Sequence, residues 1–145
     1  MKDFFRILDL NASGLTAQRW RLNVLASNLA NAESTRSPEG GPFRRKDVVF
    51  SAALQDFQAV LRAGADPLLR GVRVSGIVED PRPPRLVYQP GHPDADPAGY
   101  VALPNVNPLE EMVNLLAAAR SYEANVEMFN ATKAMLLKAL EIGRV

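Results

Sequence analysis

Residues 22–35 read LNVLASNLANAEST. Leu22, Leu25 and Leu29 fall on one helical face at spacings of three and four. The same stretch carries Asn23, Asn28 and Asn31, and Val24 points away from the leucines. A surface helix of a simple domain is charged opposite its apolar stripe. This one offers a Val–Asn surface instead, and the fold turns on what that surface is for.

Working outward, the leucine pattern extends. Leu8, Leu15, Leu22 and Leu29 recur every seven residues, a coiled-coil-like seam. Phe4 and Ala26 lie beside it, while Leu10, Ala17, Trp20 and Val24 fall on the far side. The spacing predicts a first helix from about Asp3 to Asn31, roughly 44 Å long. All eleven prolines lie between Pro38 and Pro108, so the two ends are free to be long helices and the middle is not.

A second helix starts at NPLEEM. Asn107 can cap it, Pro108 suits the first helical position, and Glu110 follows the cap by three. It should run to about Ile142 and stop at Gly143, roughly 52 Å. It also has two stripes. One holds Leu115, Tyr122, Val126, Phe129, Leu136 and Leu140; the other holds Val113, Leu116, Ala124, Ala131, Met135 and Ile142. Arg120, Glu123 and Glu127 separate them on one side, and Asn114, Ser121, Asn125 and Thr132 on the other.

The middle reads as short strands and turns. RKDVVFSAAL, VRVSGIVED and RLVYQ are strand candidates; PEGGPF, RAGAD, DPRPP and QPGHPDADPAGY are turns or loops. Residues 53–63 admit a short helix as an alternative. The class is α+β: terminal helices at 1–33 and 105–145 pair as one discontinuous coiled-coil-like domain, with a small β-rich domain over 34–104.

At 145 residues the chain suits one domain. Its net charge of +1 argues against a general nucleic-acid binder. Cysteine is absent, which excludes disulfides and Cys-ligated metals. MKDFFRILDLNASGL places Asp3, Arg6 and Asp9 where a secretory signal needs an unbroken apolar run, and no stretch approaches the ~18 apolar residues of a membrane span.

Candidate chemistry is thin. His92, Asp94 and Asp96 give H-x-D-x-D, a set that could ligate a divalent cation, yet Asp in a Pro/Gly loop commonly fixes turns. The single His, with no G-x-S-x-G, phosphate loop or G-x-G-x-x-G, leaves no catalytic constellation. Glu110 and Glu111 suit a helix N-terminus; Glu123 and Glu127 suit a solvated or salt-bridging face. Arg44, Arg45 and Lys46 form a basic cluster better read as a solvated loop or subunit contact than as a phosphate site. Trp20 is a core aromatic or an interface anchor. The reading is a non-enzyme without cofactor or metal.

Two packed helices bury one stripe each. Second stripes left bare over some ten turns would exceed what a lone subunit tolerates. Either the middle folds between the helices as a three-layer core, or the second stripes meet neighbouring subunits. Asn then fits, because an amide at an interface favours the one register that pairs it.

At this point the sequence resembles a family. LNVLASNLANAEST is similar to the N-terminal signature of the bacterial flagellar axial proteins, the rod and hook components, and NVNPLEEMVNLLAAARSYEANVEMFNATKAMLLKALEIG to their C-terminal helix. FRRKDVVF, GVRVSGIVEDP and VYQPGHPDADPAGYVALPNVNPLEEM resemble a proximal-rod branch of that family. The resemblance implies a structural subunit of the basal-body rod that crosses the periplasm, assembles helically with copies of itself and other rod proteins, transmits torque and surrounds the export channel. It implies export by the flagellar type III apparatus without cleavage, and neither nucleic-acid binding nor membrane insertion. The expected subunit-interface residues are Leu15, Trp20, Leu22, Val24, Leu25, Asn28, Leu29 and Asn31 in the first helix. In the second they are Met112, Leu116, Tyr122, Val126, Phe129 and Leu136. The first helix of a free subunit is expected to fold only on assembly. The competing readings are another rod or hook protein of the same family, or a soluble helical adaptor or chaperone-like module.

Overall fold

The computed structural model describes residues 2–38, 40–53 and 71–142. The side chain of Phe4, the alternative helix over 53–63, the RAGAD turn and the stop at Gly143 lie outside the described residues. Helix α1 spans Lys2–Ala30 and helix α2 spans Pro108–Ile142. Between them lie β1 (Lys46–Ala52), β2 (Val72–Glu79), β3 (Arg85–Tyr88) and β4 (Tyr100–Leu103). The α+β class stands.

The helix ends follow local chemistry. The Leu109 amide donates to Asn107 Oδ1 at 3.1 Å, so Asn107 caps α2 and Pro108 opens it. At the other end of α1 the Asn31 side chain donates to the Ser27 carbonyl at 2.9 Å, satisfying one of the last-turn acceptors.

The helices form an antiparallel pair in direct contact; the middle does not fold between them. Asn11 meets Thr132, Gly14 meets Asn125, and Asn28 meets Glu111. Those contacts correct the leucine seam. On α2 the inner line is Glu111, Ala118, Asn125 and Thr132, spaced by seven. On α1, Asn11, Gln18 and Leu25 recur by seven, as do Gly14, Arg21 and Asn28. Leu8, Leu15, Leu22 and Leu29 lie to one side of that line and stay half-buried. The centre is largely polar, with Gly14 and Ala118 as its small members.

β1 and β2 form an antiparallel ribbon, from Lys46↔Glu79 to Ala52↔Val72, with a bulge after Val49. The ribbon lies against α1, where it helps cover Ala17 and Val24, both buried. β3 and β4 pair separately, Arg85↔Leu103 to Tyr88↔Tyr100. The three expected strands appear within a residue or two of their expected ends. β4 was not among the expectations, which gave QPGHPDADPAGY up to Tyr100 as loop. A four-residue strand has little periodicity to read, and its pairing is set from across the turn. There Gly99, at φ 85°, takes a left-handed conformation, and a Cβ on it would come within 2.8 Å of the Tyr88 ring. Tyr88 and Tyr100 close the hairpin edge-to-face, centroids 5.3 Å apart.

Candidate assembly face and the joint behind it

The joint is built from three elements. Asn28, on the last turns of α1, is fully buried. Its Nδ2 donates to the Lys46 carbonyl at 2.7 Å, and its Oδ1 accepts from the Lys46 amide at 2.9 Å. The side chain thereby pairs with the first residue of β1 as a neighbouring strand would. Asn28 Nδ2 also donates to Glu111 Oε2 at 3.0 Å. Glu111 is buried in the first turn of α2, and its other oxygen accepts from Arg45 Nε at 2.6 Å. Burial disfavours the Arg45 charge, but the bond and charge of Glu111, with Asp47 nearby, more than offset it and hold the guanidinium above its ordinary value. A carboxylate at a helix N-terminus also meets the positive end of the helix dipole.

This answers the question raised by the Val–Asn surface. Val24, Leu25 and Asn28 face inward, so the single copy already uses them and they are not open to a neighbour. The reason is that the ribbon covers the side of α1 that carries Val24, α2 covers the side that carries Leu25, and Asn28 sits between the two, bonded to Lys46 and Glu111. Asn31 is half-buried and occupied by Ser27 and Ser34. Leu15, Leu22, Leu29, Tyr122, Val126, Phe129 and Leu136 are half-buried along the flanks of the helix pair. Trp20, Met112 and Leu116 are exposed.

The outer face of α2 carries a run of exposed apolar side chains. Near its start Leu109 is 71% exposed, Met112 50%, Val113 60% and Leu116 62%, at the i, i+3, i+4, i+7 spacing of one helical face. Arg120, Glu123 and Glu127 interrupt the face. It resumes with Leu137 and Leu140, four heptads beyond Leu109 and Met112, while Met128, Met135 and Ile142 are exposed on an adjoining flank. Leu109, Met128 and Leu137 were absent from both expected stripes.

Arg45 and Glu111 were missed as a pair. The sequence reading put Arg45 in a basic cluster and Glu111 at a helix start. The one available signal was the seven-residue line joining Glu111 to Ala118, Asn125 and Thr132.

The H-x-D-x-D loop is occupied by its own turn. His92 Nδ1 accepts from the Asp94 amide at 3.1 Å. Asp96 Oδ1 accepts from the amides of Ala98 and Tyr100 at 2.9 and 2.8 Å. Asp94 accepts from Thr35 Oγ1 at 2.7 Å and pairs with Arg36, tying this loop to the segment after α1. The Thr35 hydroxyl first, then the Arg36 guanidinium, hold the Asp94 carboxyl below its ordinary range. Among the described residues no group of three or more metal-ligating side chains converges, and no helix is long and apolar enough to cross a membrane.

Comparison with known proteins fits this layout of two terminal helices round a β-rich middle. Residues 8–36 match the family described as Flagella basal body rod protein. Residues 98–142 match the Flagellar basal body rod FlgEFG protein C-terminal family. The flagellar basal-body rod protein FlgC of Yersinia enterocolitica is 51% identical over 95% of this chain and 96% of its own length. The chain belongs to the FlgC family. The rod protein FlgC of Bacillus subtilis is 49% identical over 97% of this chain and 98% of its own. That of Borreliella burgdorferi is 40% identical over 95% and 96%. The family is structural and not enzymatic, and its place is the rod of the flagellar basal body.

Proposed function

We propose that the outer face of α2 is the surface through which this rod subunit binds its neighbours. The observation that carries the reading is the run Leu109, Met112, Val113 and Leu116, all at least half exposed in one copy. Four large apolar side chains on one face cost free energy in water, and burying what remains exposed of them yields about 1–2 kcal/mol each. The partners are other copies of this chain and other rod proteins. Trp20, at the edge of the α1–ribbon groove, is a second contact.

Contacts of this kind are head-to-tail; unlike patches meet, and a series that does not close extends as a helical tube. Many such contacts in parallel resist twisting, which suits a shaft carrying torque across the periplasm. The helices lie on the inner side, round the export channel, with the β-rich part outside. Passage through the flagellar export apparatus without cleavage belongs to the same reading.

Complementing a strain that lacks this chain with a Leu109→Ser/Met112→Ser/Leu116→Ser variant tests it. The expected result is a folded, secreted chain and basal bodies without a complete rod. Normal rods and swimming would exclude this face.

A further inference from the structure

α1 is tied to the β1–β2 ribbon at two places, and the two ties match in length. At one end Asn28 bonds both the amide and the carbonyl of Lys46, the first residue of β1. At the other, Ser13 Oγ accepts from the amide of Val72, the first residue of β2, at 3.1 Å, and donates to the Leu10 carbonyl at 2.7 Å. Ser13 and Asn28 are fifteen residues apart, about 22 Å along a helix. Lys46 to Ala52, the residue paired with Val72, is six strand steps, about 20 Å. The ties therefore hold diagonal corners of the ribbon. Gly71, just before Val72, completes the fit: a Cβ there would come within 2.8 Å of Ser13 Oγ.

We propose that the β1–β2 ribbon is a splint bolted to α1 by Ser13 and Asn28, so that helix and ribbon turn as one body. One tie leaves a ribbon free to pivot about it. Two ties at diagonal corners fix its direction along the helix. The apolar contact between them is thin: Ala17 and Val24 are the buried side chains that α1 offers on this side. Non-directional burial of that size does not set an angle, whereas hydrogen bonds do. Ser13 and Asn28 are thus positioning residues.

The chain has no cysteine, so paired spin labels can be placed uniquely in the full-length protein. One pair joins Arg73→Cys, at the Ser13 end, to Met128→Cys on the exposed side of α2; the other joins Val78→Cys, at the Asn28 end, to the same reference. Narrow distance distributions are expected for both pairs without further change. Ser13→Ala should widen the first pair about twofold and leave the second narrow, because loosening stays local to the freed end. Ser13→Thr, which keeps the hydroxyl, should restore the narrow width. Asn28→Ala should widen the second pair; since it also strips a partner from Glu111, the Ser13 arm stands alone if that variant does not fold. The splint is overturned if Ser13→Ala changes neither width, if it widens both equally, or if both pairs are already broad before any substitution.

Discussion

The inner and outer faces of α2 are reversed relative to an ordinary surface helix. The line it turns toward α1 is Glu111, Ala118, Asn125 and Thr132; the line it turns toward water begins Leu109, Met112, Val113 and Leu116. The innermost line is polar and small, large apolar residues such as Tyr122, Val126, Phe129 and Leu136 flank it half-buried, and a second apolar set is left outside. The difference separates two tasks. Polar pairs such as Asn11–Thr132 and Asn28–Glu111 are satisfied in one register alone, so the inner line specifies how the hairpin closes. Apolar burial is strong and non-directional, and within one copy the outer line leaves it unused.

The largest break in that contrast comes from the joint. Glu111→Ala leaves Arg45 Nε and one of the Asn28 amide hydrogens without an acceptor, although Asn28 keeps the Lys46 carbonyl and Arg45 keeps Asp47. Removing one partner of a buried pair costs about 3–5 kcal/mol, a large share of an ordinary domain's stability. Glu111→Gln keeps the shape and one acceptor, so a smaller loss, about 1–3 kcal/mol, is expected. Urea unfolding of the full-length chain separates the two, and equal losses would mean that the charge of Glu111 accounts for its whole contribution and the retained shape and acceptor for none. Next in size is Ala118→Leu. Ala118 is 2% exposed on the line that α2 turns toward α1, and three added carbons there force the helices apart at about 1–3 kcal/mol. The same unfolding assay reads it; an unchanged midpoint would show that the inner line has room to spare.

How far the sequence disclosed this depends on which residues are asked about. The long helices, the Asn107 cap and three of the four strands follow from proline placement, capping chemistry and alternation, all of them local signals. Two-sided α2 was also legible, since Val113, Leu116, Met135 and Ile142 share a stripe by angle. The inner line was not. Weighting by hydrophobicity selects Leu8, Leu15, Leu22 and Leu29 as the seam, but the structure puts Asn11, Gly14 and Asn28 at the centre. An Asn in a helix reads as exposed until its partner is known, and the partners of Asn11 and Asn28 lie 121 and 83 residues away. Arg45 failed for the same reason: three adjacent cations look like one patch, although the fold sends one of them inward to Glu111.

The outer face gives a smaller effect on folding and a large one on assembly. Leu116→Ser alters a side chain that is 62% exposed, so the free chain should change by no more than about 0.5 kcal/mol, mostly helix propensity. Incorporation into rods, scored by sedimenting basal bodies and immunoblotting, should fall sharply. A stability loss comparable to that of Ala118→Leu would erase the distinction between the two faces.

The smallest effect expected is at the loop tie, and it depends on pH. Asp94 is held below its ordinary value of 3.8 by Thr35 and Arg36. A carboxyl whose folded value is depressed contributes fully above its unfolded value and loses that contribution as pH falls through the folded one. The tie between Asp94 and the segment after α1 should therefore be constant from neutrality down to about pH 4, and release only below it. Asp80 is lowered to about 2 because the Arg82 side chain and amide both bond it. Following the Asp94 carboxyl by NMR in Thr35→Val should show its midpoint rise toward 3.8, since the hydroxyl is the larger of the two causes. An unmoved midpoint would assign the depression to Arg36 instead. By the same linkage a raised midpoint must bring a matching loss of stability at neutral pH, and because the side chains concerned lie away from the buried line that loss should stay well below the one expected for Glu111→Ala.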